Sequence, residues 1–201
     1  MHETDPPFPA MSRRELMAST VFVPLTTLTA SAQQSRRPAL SAPEMRTLEA
    51  FIDRLIPADE LGPGAVEAGV QVYIDGTLAE GAAAALASFR DGLEGLDAYS
   101  QRSRGRAFAD LPAADRDAII VRMENGTADG FANAHAVFAR IRTLTLEGMF
   151  GDPFYGGNRS FAGWDLIRYP GPRLAVAPED QALKQEIKPY RRSAFGGEHG
   201  R

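Results

Sequence analysis

No segment of this chain sustains the two-residue alternation of apolar and polar side chains that a half-buried strand needs, whereas apolar residues recur at spacings of three and four again and again. That pattern excludes a sheet-built core and predicts an all-α fold. The first helix has a clear start: Ser41 as N-cap, Pro43 in the first turn and Glu44 three residues after the serine, which together spell a capping box. Leu48, Phe51, Ile52 and Leu55 then share one face, and Pro57 ends the helix. Residues 58–69, with Gly62-Pro63-Gly64, read as a loop, and Val70 to Leu78 as a short second helix that turns Val70, Tyr73 and Ile74 inward. Ala82 to Arg102 predicts a longer helix with the stripe Leu86, Phe89, Leu93, Leu96 and Tyr99. Its Gly92 and Gly95 each weaken it by roughly 1 kcal/mol relative to alanine and predict the close approach of another backbone. A fourth helix runs from Pro112 to Glu124 on Ile119, Ile120 and Met123, and Asn125-Gly126 stops it. Phe131 to Met149 is the last long helix, with Ala134, Val137, Phe138, Ile141, Leu144 and Met149 facing the core.

The expectation is an irregular domain of about five helices. From Phe150 glycine, proline and aromatic residues take over, and from Pro170 to Arg201 the chain reads as an extended tail with no amphipathic period. Ordering such a tail alone is costly in conformational entropy, so it is expected either to stay disordered or to wrap a partner.

The N-terminus carries a different signal. Ser12-Arg13-Arg14-Glu15-Leu16-Met17 precedes a mildly apolar run, Leu16 to Ala30, which ends in Ala30-Ser31-Ala32-Gln33. These are, in order, the n-region, h-region and small-residue cleavage site of an export signal, with Ala30 and Ala32 at the cleavage positions. The paired Arg13 and Arg14 and the weakly hydrophobic, threonine-rich run resemble a twin-arginine signal, although Ala18 stands where a basic residue is usual. Pro24 and Thr26-Thr27-Leu28-Thr29 argue against a packed first helix, and the run falls short of the ~20 residues needed to cross a bilayer. Met11 directly before the motif is a second candidate start beside Met1. The expected layout is a signal peptide over 1–32, a linker over 33–40, a helical domain over 41–171 and a tail over 172–201. Its expected location is the periplasm, with any membrane association made through a complex.

Composition narrows the chemistry. A net charge of −4 gives no basic footprint for nucleic acid. There is no cysteine, so neither disulfides nor thiolate metal sites can form. His2, His135 and His199 are too scattered for a histidine metal site. No catalytic, cofactor or metal residue is expected on this chain. The twin-arginine route carries folded proteins, so a folded partner loaded before export becomes the point of interest.

The most distinctive string is Glu147-Gly148-Met149-Phe150-Gly151-Asp152-Pro153-Phe154-Tyr155-Gly156-Gly157-Asn158, followed by Gly163-Trp164 and Tyr169-Pro170-Gly171. It resembles the signature of the gluconate 2-dehydrogenase subunit 3 family: a long helix ending in a Phe-Gly-Asp-Pro turn, then Tyr-Gly-Gly-Asn, Gly-Trp and Tyr-Pro-Gly. The likeness runs from about Ser41 to Gly171 and takes in the Leu48 to Asp59 segment. It implies a non-catalytic small subunit that stabilises a large FAD-containing dehydrogenase and carries it through the twin-arginine pathway. The implied partner oxidises glucose, gluconate, fructose, sorbitol or the 3-position of glycosides and passes electrons to a cytochrome c, so FAD is expected in the partner and no cofactor here. Asp152, Pro153, Tyr155, Gly156, Gly157, Asn158, Trp164 and Tyr169 are the candidate partner interface, since Tyr155, Trp164 and Tyr169 are anchors of the kind enriched at interface hot spots. The same loop could instead fold over the protein's own helices, with Trp164 as a core plug.

Two other classes stay open. Asp152 with Asp165, or Glu147 with Asp152, could serve a stand-alone periplasmic carbohydrate-active enzyme as an acid–base pair. Trp164 could stack on a sugar in a free-standing binding module. A phosphate cradle at Gly156-Gly157-Asn158 lacks the following lysine and the preceding strand, and His135 reads as a packed or half-exposed helix residue.

Overall fold

The computed structural model describes residues 38–173 and 189–196. The export-signal positions Arg13, Arg14, Ala30 and Ala32, and tail residues 174–188 and 197–201, lie outside the described residues. Within them the chain is helical and no strand forms. The helices are α1 (Ala42–Leu55), α2 (Val70–Glu80), α3 (Ala83–Arg104), α4 (Ala113–Glu124), α5 (Ala134–Phe150) and the short α6 (Ala162–Leu166), with single 3-10 turns at Phe108–Asp110, Pro153–Tyr155 and Arg159–Phe161.

The start of α1 follows from its capping chemistry. The Glu44 carboxylate accepts from the Ser41 backbone N–H at 2.6 Å and from the Ser41 hydroxyl at 2.7 Å. Burial alone would push the Glu44 carboxyl up, but the two bonds from Ser41 and the Arg90 charge outweigh it and hold the group below its ordinary value. The apolar stripe does the rest: Leu48, Phe51 and Ile52 are fully buried, and Phe51 meets Phe108 and Phe138 with ring centroids 5.8 Å and 6.4 Å away.

α5 is the central element and packs against α1, α2, α3, α4 and α6. Its buried face is Ala134, Phe138, Ile141, Leu144, Thr145, Gly148 and Met149, and the Thr145 hydroxyl is satisfied by the Ile141 carbonyl at 2.7 Å. The helix begins at Ala134 rather than Phe131, whose ring instead packs beside Tyr99 at 6.4 Å. The glycines of α3 admit side chains, not a backbone as the sequence suggested. A Cβ on Gly92 would lie 2.9 Å from the Val137 side chain, and one on Gly95 would lie 2.6 Å from the Phe131 ring. In α2, Leu78 joins Val70 and Ile74 in the core, whereas Tyr73 is only half-buried.

Polar side chains pin the helices to one another. Asp97 of α3 accepts from the Thr47 hydroxyl of α1 at 2.8 Å and from the Phe108 N–H at 2.9 Å, which fixes the 3-10 turn against both helices. Arg54 grips Asp117 of α4 with two bonds of 2.7 Å and 3.0 Å. That grip holds the Asp117 carboxyl below its ordinary value. A carboxyl lowered by folding contributes stability that is present above its unfolded value of about 3.9 and lost as the pH falls through the lower folded value. The pair is partly exposed, so its worth is about 1 kcal/mol or less. Arg54→Gln is therefore expected to lower the urea midpoint at pH 7, with the gap to the parent protein closing as the pH is taken well below about 4. An equal gap at both pH values would show that the arginine acts by packing alone.

Candidate functional site

A helix of ordinary length leaves its last carbonyls without partners, and α5 ends where the chain turns back on itself. The residues that follow supply those partners. Gly151 N–H closes the last turn on the Glu147 carbonyl at 2.8 Å. The Gly151 carbonyl accepts from Asn158 Nδ2 at 2.8 Å, and the Phe150 carbonyl accepts from Trp164 Nε1 at 2.9 Å. The Asn158 Oδ1 in turn accepts from the N–H of Gly163 at 2.8 Å and, more weakly, of Trp164 at 3.4 Å. One fully buried asparagine thus ties the end of α5 to the start of α6.

The backbone pays a conformational cost for this path. Asn158, Ser160 and Phe161 have φ values of 46°, 56° and 63°, and a bulky side chain in the left-handed region is a strained arrangement. Asn158 tolerates it better than most residues. Two glycines allow the approach: a Cβ on Gly157 would collide with the Gly148 carbonyl, and one on Gly163 with the Met149 carbonyl. Gly156 sits at φ 95° and closes the Pro153–Tyr155 turn.

Asp152 has two tasks. Its Oδ1 accepts from the Phe154 N–H at 2.9 Å, which starts the turn, and its Oδ2 accepts from the Ala194 N–H at 2.8 Å. The second bond belongs to residues 189–196, a strap lying across the loop. Tyr190 N–H donates to the Pro170 carbonyl at 2.7 Å, Arg191 pairs with Asp165 at 2.7 Å, and the Phe195 ring sits 5.2 Å from Phe154 and 5.5 Å from Tyr155. This part of the tail was expected to stay disordered or to wrap a partner. It lies instead on its own chain, because Asp152 and Pro170 offer it acceptors.

The candidate interface residues consequently divide. Pro153, Gly157, Asn158 and Trp164 are buried, and Tyr169 stacks edge-on against Trp164 at 4.9 Å. Tyr155 points outward, 55% exposed, beside Phe154 at 45% and Phe195 at 59%. Next to them runs an apolar groove of about 540 Å³ lined by Tyr73, Leu146, Phe150 and Tyr155 among others. In it the Tyr73 hydroxyl donates to Glu147 at 3.1 Å. Burial, opposed by a hydrogen bond with Thr77 and reinforced by the Glu147 charge, pushes the Tyr73 hydroxyl above its ordinary value, so it remains a donor.

The carboxylates considered for acid–base work are each engaged in this framework: Asp152 by two backbone N–H groups, Asp165 by Arg191, Glu147 by Tyr73. In Gly156-Gly157-Asn158 the Gly156 N–H is engaged by the Pro153 carbonyl and the Asn158 side chain turns inward. His135 is exposed, with Nδ1 2.6 Å from the Glu124 carbonyl at the end of α4, a capping contact the sequence did not suggest. Sequence reasoning also missed Phe195, because nothing in a tail without periodicity marks a residue that docks forty positions upstream.

Fold and site define a small helical domain built around the central helix α5, whose distinctive residues cap that helix and leave an aromatic face outside. The family model for gluconate 2-dehydrogenase subunit 3 matches residues 42–171, well over half of the chain, and the chain belongs to that family. It is thereby an accessory subunit of a dehydrogenase complex. No curated protein and no solved structure matches it. Among the described residues, no helix is long and apolar enough to cross a membrane.

Proposed function

We propose that this chain is the non-catalytic small subunit of a periplasmic, FAD-dependent sugar or glycoside dehydrogenase. It binds the folded flavoprotein in the cytoplasm, lends it the Arg13-Arg14 export signal, and stays bound to stabilise it. The observation that carries the reading is the family match from the start of α1 to the Tyr169-Pro170-Gly171 turn. The Arg13-Arg14 motif and the Ala30-Ser31-Ala32 site add the address. FAD belongs to the large subunit, which hands its electrons to a cytochrome c.

The test is to express a flavoprotein large subunit from the same source alone and together with this chain, and to measure dye-linked dehydrogenase activity in the periplasm. Activity is expected only in the pair. Equal activity without this chain would remove the proposed role.

A further inference from the structure

Most of the signature that defines the loop is consumed by the fold itself. Asp152 starts a turn and latches the strap, Pro153 is buried, Gly157 and Gly163 clear carbonyls, Asn158 and Trp164 cap α5, and Tyr169 covers Trp164. Tyr155 is the most exposed of the signature aromatics, ahead of Tyr169 at 40%, whose ring is taken up by Trp164. It is more than half exposed, and its ring contacts are Phe154 at 5.3 Å and Phe195 at 5.5 Å, both themselves exposed. Beyond it the apolar surface continues through the groove to Leu146, 38% exposed, and past Gly156 to Val72, 48% exposed. A contiguous apolar face of this kind marks an interaction site.

We infer that Tyr155 and Phe195, one from the loop after α5 and one from the C-terminal strap, form a composite docking face, with the adjoining groove, for the catalytic subunit of the dehydrogenase complex. The inference rests on the accessory-subunit reading and adds to it the face, its dependence on the strap, and the chemistry of what it meets. An apolar or aromatic side chain of the large subunit enters the groove, which has room for a few side chains. Acidic residues surround that anchor. The loop and strap that carry the aromatics bear exposed Arg159, Arg168, Arg191 and Arg192, against Asp152 and Asp165, although the whole protein has a net charge of −4. A second copy of this chain using the same face would bring two arginine-rich loop-and-strap surfaces together, which electrostatic complementarity disfavours. A sugar is a poor occupant too, since Glu147 and Asp152 already have partners and the rest of the groove is apolar.

The experiment uses the full chain co-purified with a flavoprotein large subunit from the same source, and reads affinity by biolayer interferometry. Tyr155→Glu and Phe195→Glu are each expected to weaken binding at least about thirtyfold. Val121→Glu, an equally exposed apolar position on α4, is expected to leave it unchanged. Circular dichroism melts within a few degrees of the parent show that each variant folds. If the parent chain itself retains no large subunit, the accessory-subunit reading fails. If the parent binds and both glutamate variants bind equally well, that reading stands and the docking face is overturned. A change in self-association of the isolated chain caused by Phe195→Glu would overturn it in favour of a second copy.

Discussion

Asn158→Ala is expected to lower the melting temperature by about 10 °C, the largest loss of stability from any single side chain in the loop. The substitution removes the donor to the partly buried Gly151 carbonyl and the acceptor for the buried Gly163 and Trp164 N–H groups. Each buried group left without a partner costs about 1–3 kcal/mol. Alanine also tolerates the left-handed φ of 46° less well than asparagine does. Asn158→Gly separates the two effects, because glycine restores the backbone freedom but none of the bonds. It should recover only a small part of the loss. The single tryptophan provides a local readout, since Trp164 is 6% exposed and bonded to the end of α5. Its emission should shift to the red in Asn158→Ala at temperatures where the helical signal is still intact. A variant that melts with the parent and keeps its emission would mean that Asn158 is not the tie between α5 and α6.

The helices were legible because each one announces itself locally. The Ser41 to Glu44 start, the Leu48, Phe51 and Ile52 face, the Asn125-Gly126 stop and the Ile141, Leu144 and Met149 stripe are statements about neighbours within a turn or two, and the structure places them so. The errors came where a residue's role depends on a distant segment. Gly92 and Gly95 were read as admitting a backbone and instead admit Val137 and Phe131, because sequence shows that space is needed but not what fills it. The family signature was recognisable as a string, yet its division between inward Asn158 and Trp164 and outward Tyr155 could not be read from it. Both kinds of residue are large or polar members of a turn-rich segment, and only the geometry of the carbonyls ending α5 decides which turn inward. α6 was missed for a related reason: it is five residues long, begins after three left-handed residues, and is held by Asn158 rather than by any period of its own. The strap was the least legible of all. Its ordering depends on one spare oxygen of Asp152, one carbonyl of Pro170 and one carboxylate of Asp165.

Replacing Arg13 and Arg14 together by lysine is expected to reduce periplasmic dehydrogenase activity to that of a signal-less control, while the assembled complex accumulates in the cytoplasm. The argument joins two physical facts. A lysine pair preserves the charge of the n-region but not the planar, multiply donating guanidinium groups, so a loss of export reports recognition of arginine rather than of positive charge. And a flavoprotein that has folded around its cofactor cannot be threaded unfolded through a general secretory channel, so its export depends on whichever chain holds the signal. Both subunits should therefore be retained together, as read by immunoblot of cell fractions and by dye-linked activity in each. The double variant should still bind the flavoprotein with unchanged affinity, because the docking face lies on the loop and strap of the helical domain. Tyr155→Glu should give the opposite pattern, with this chain exported and the flavoprotein left behind. If the lysine variant exports both subunits normally, the address lies elsewhere, and the role of this chain contracts to stabilising its partner.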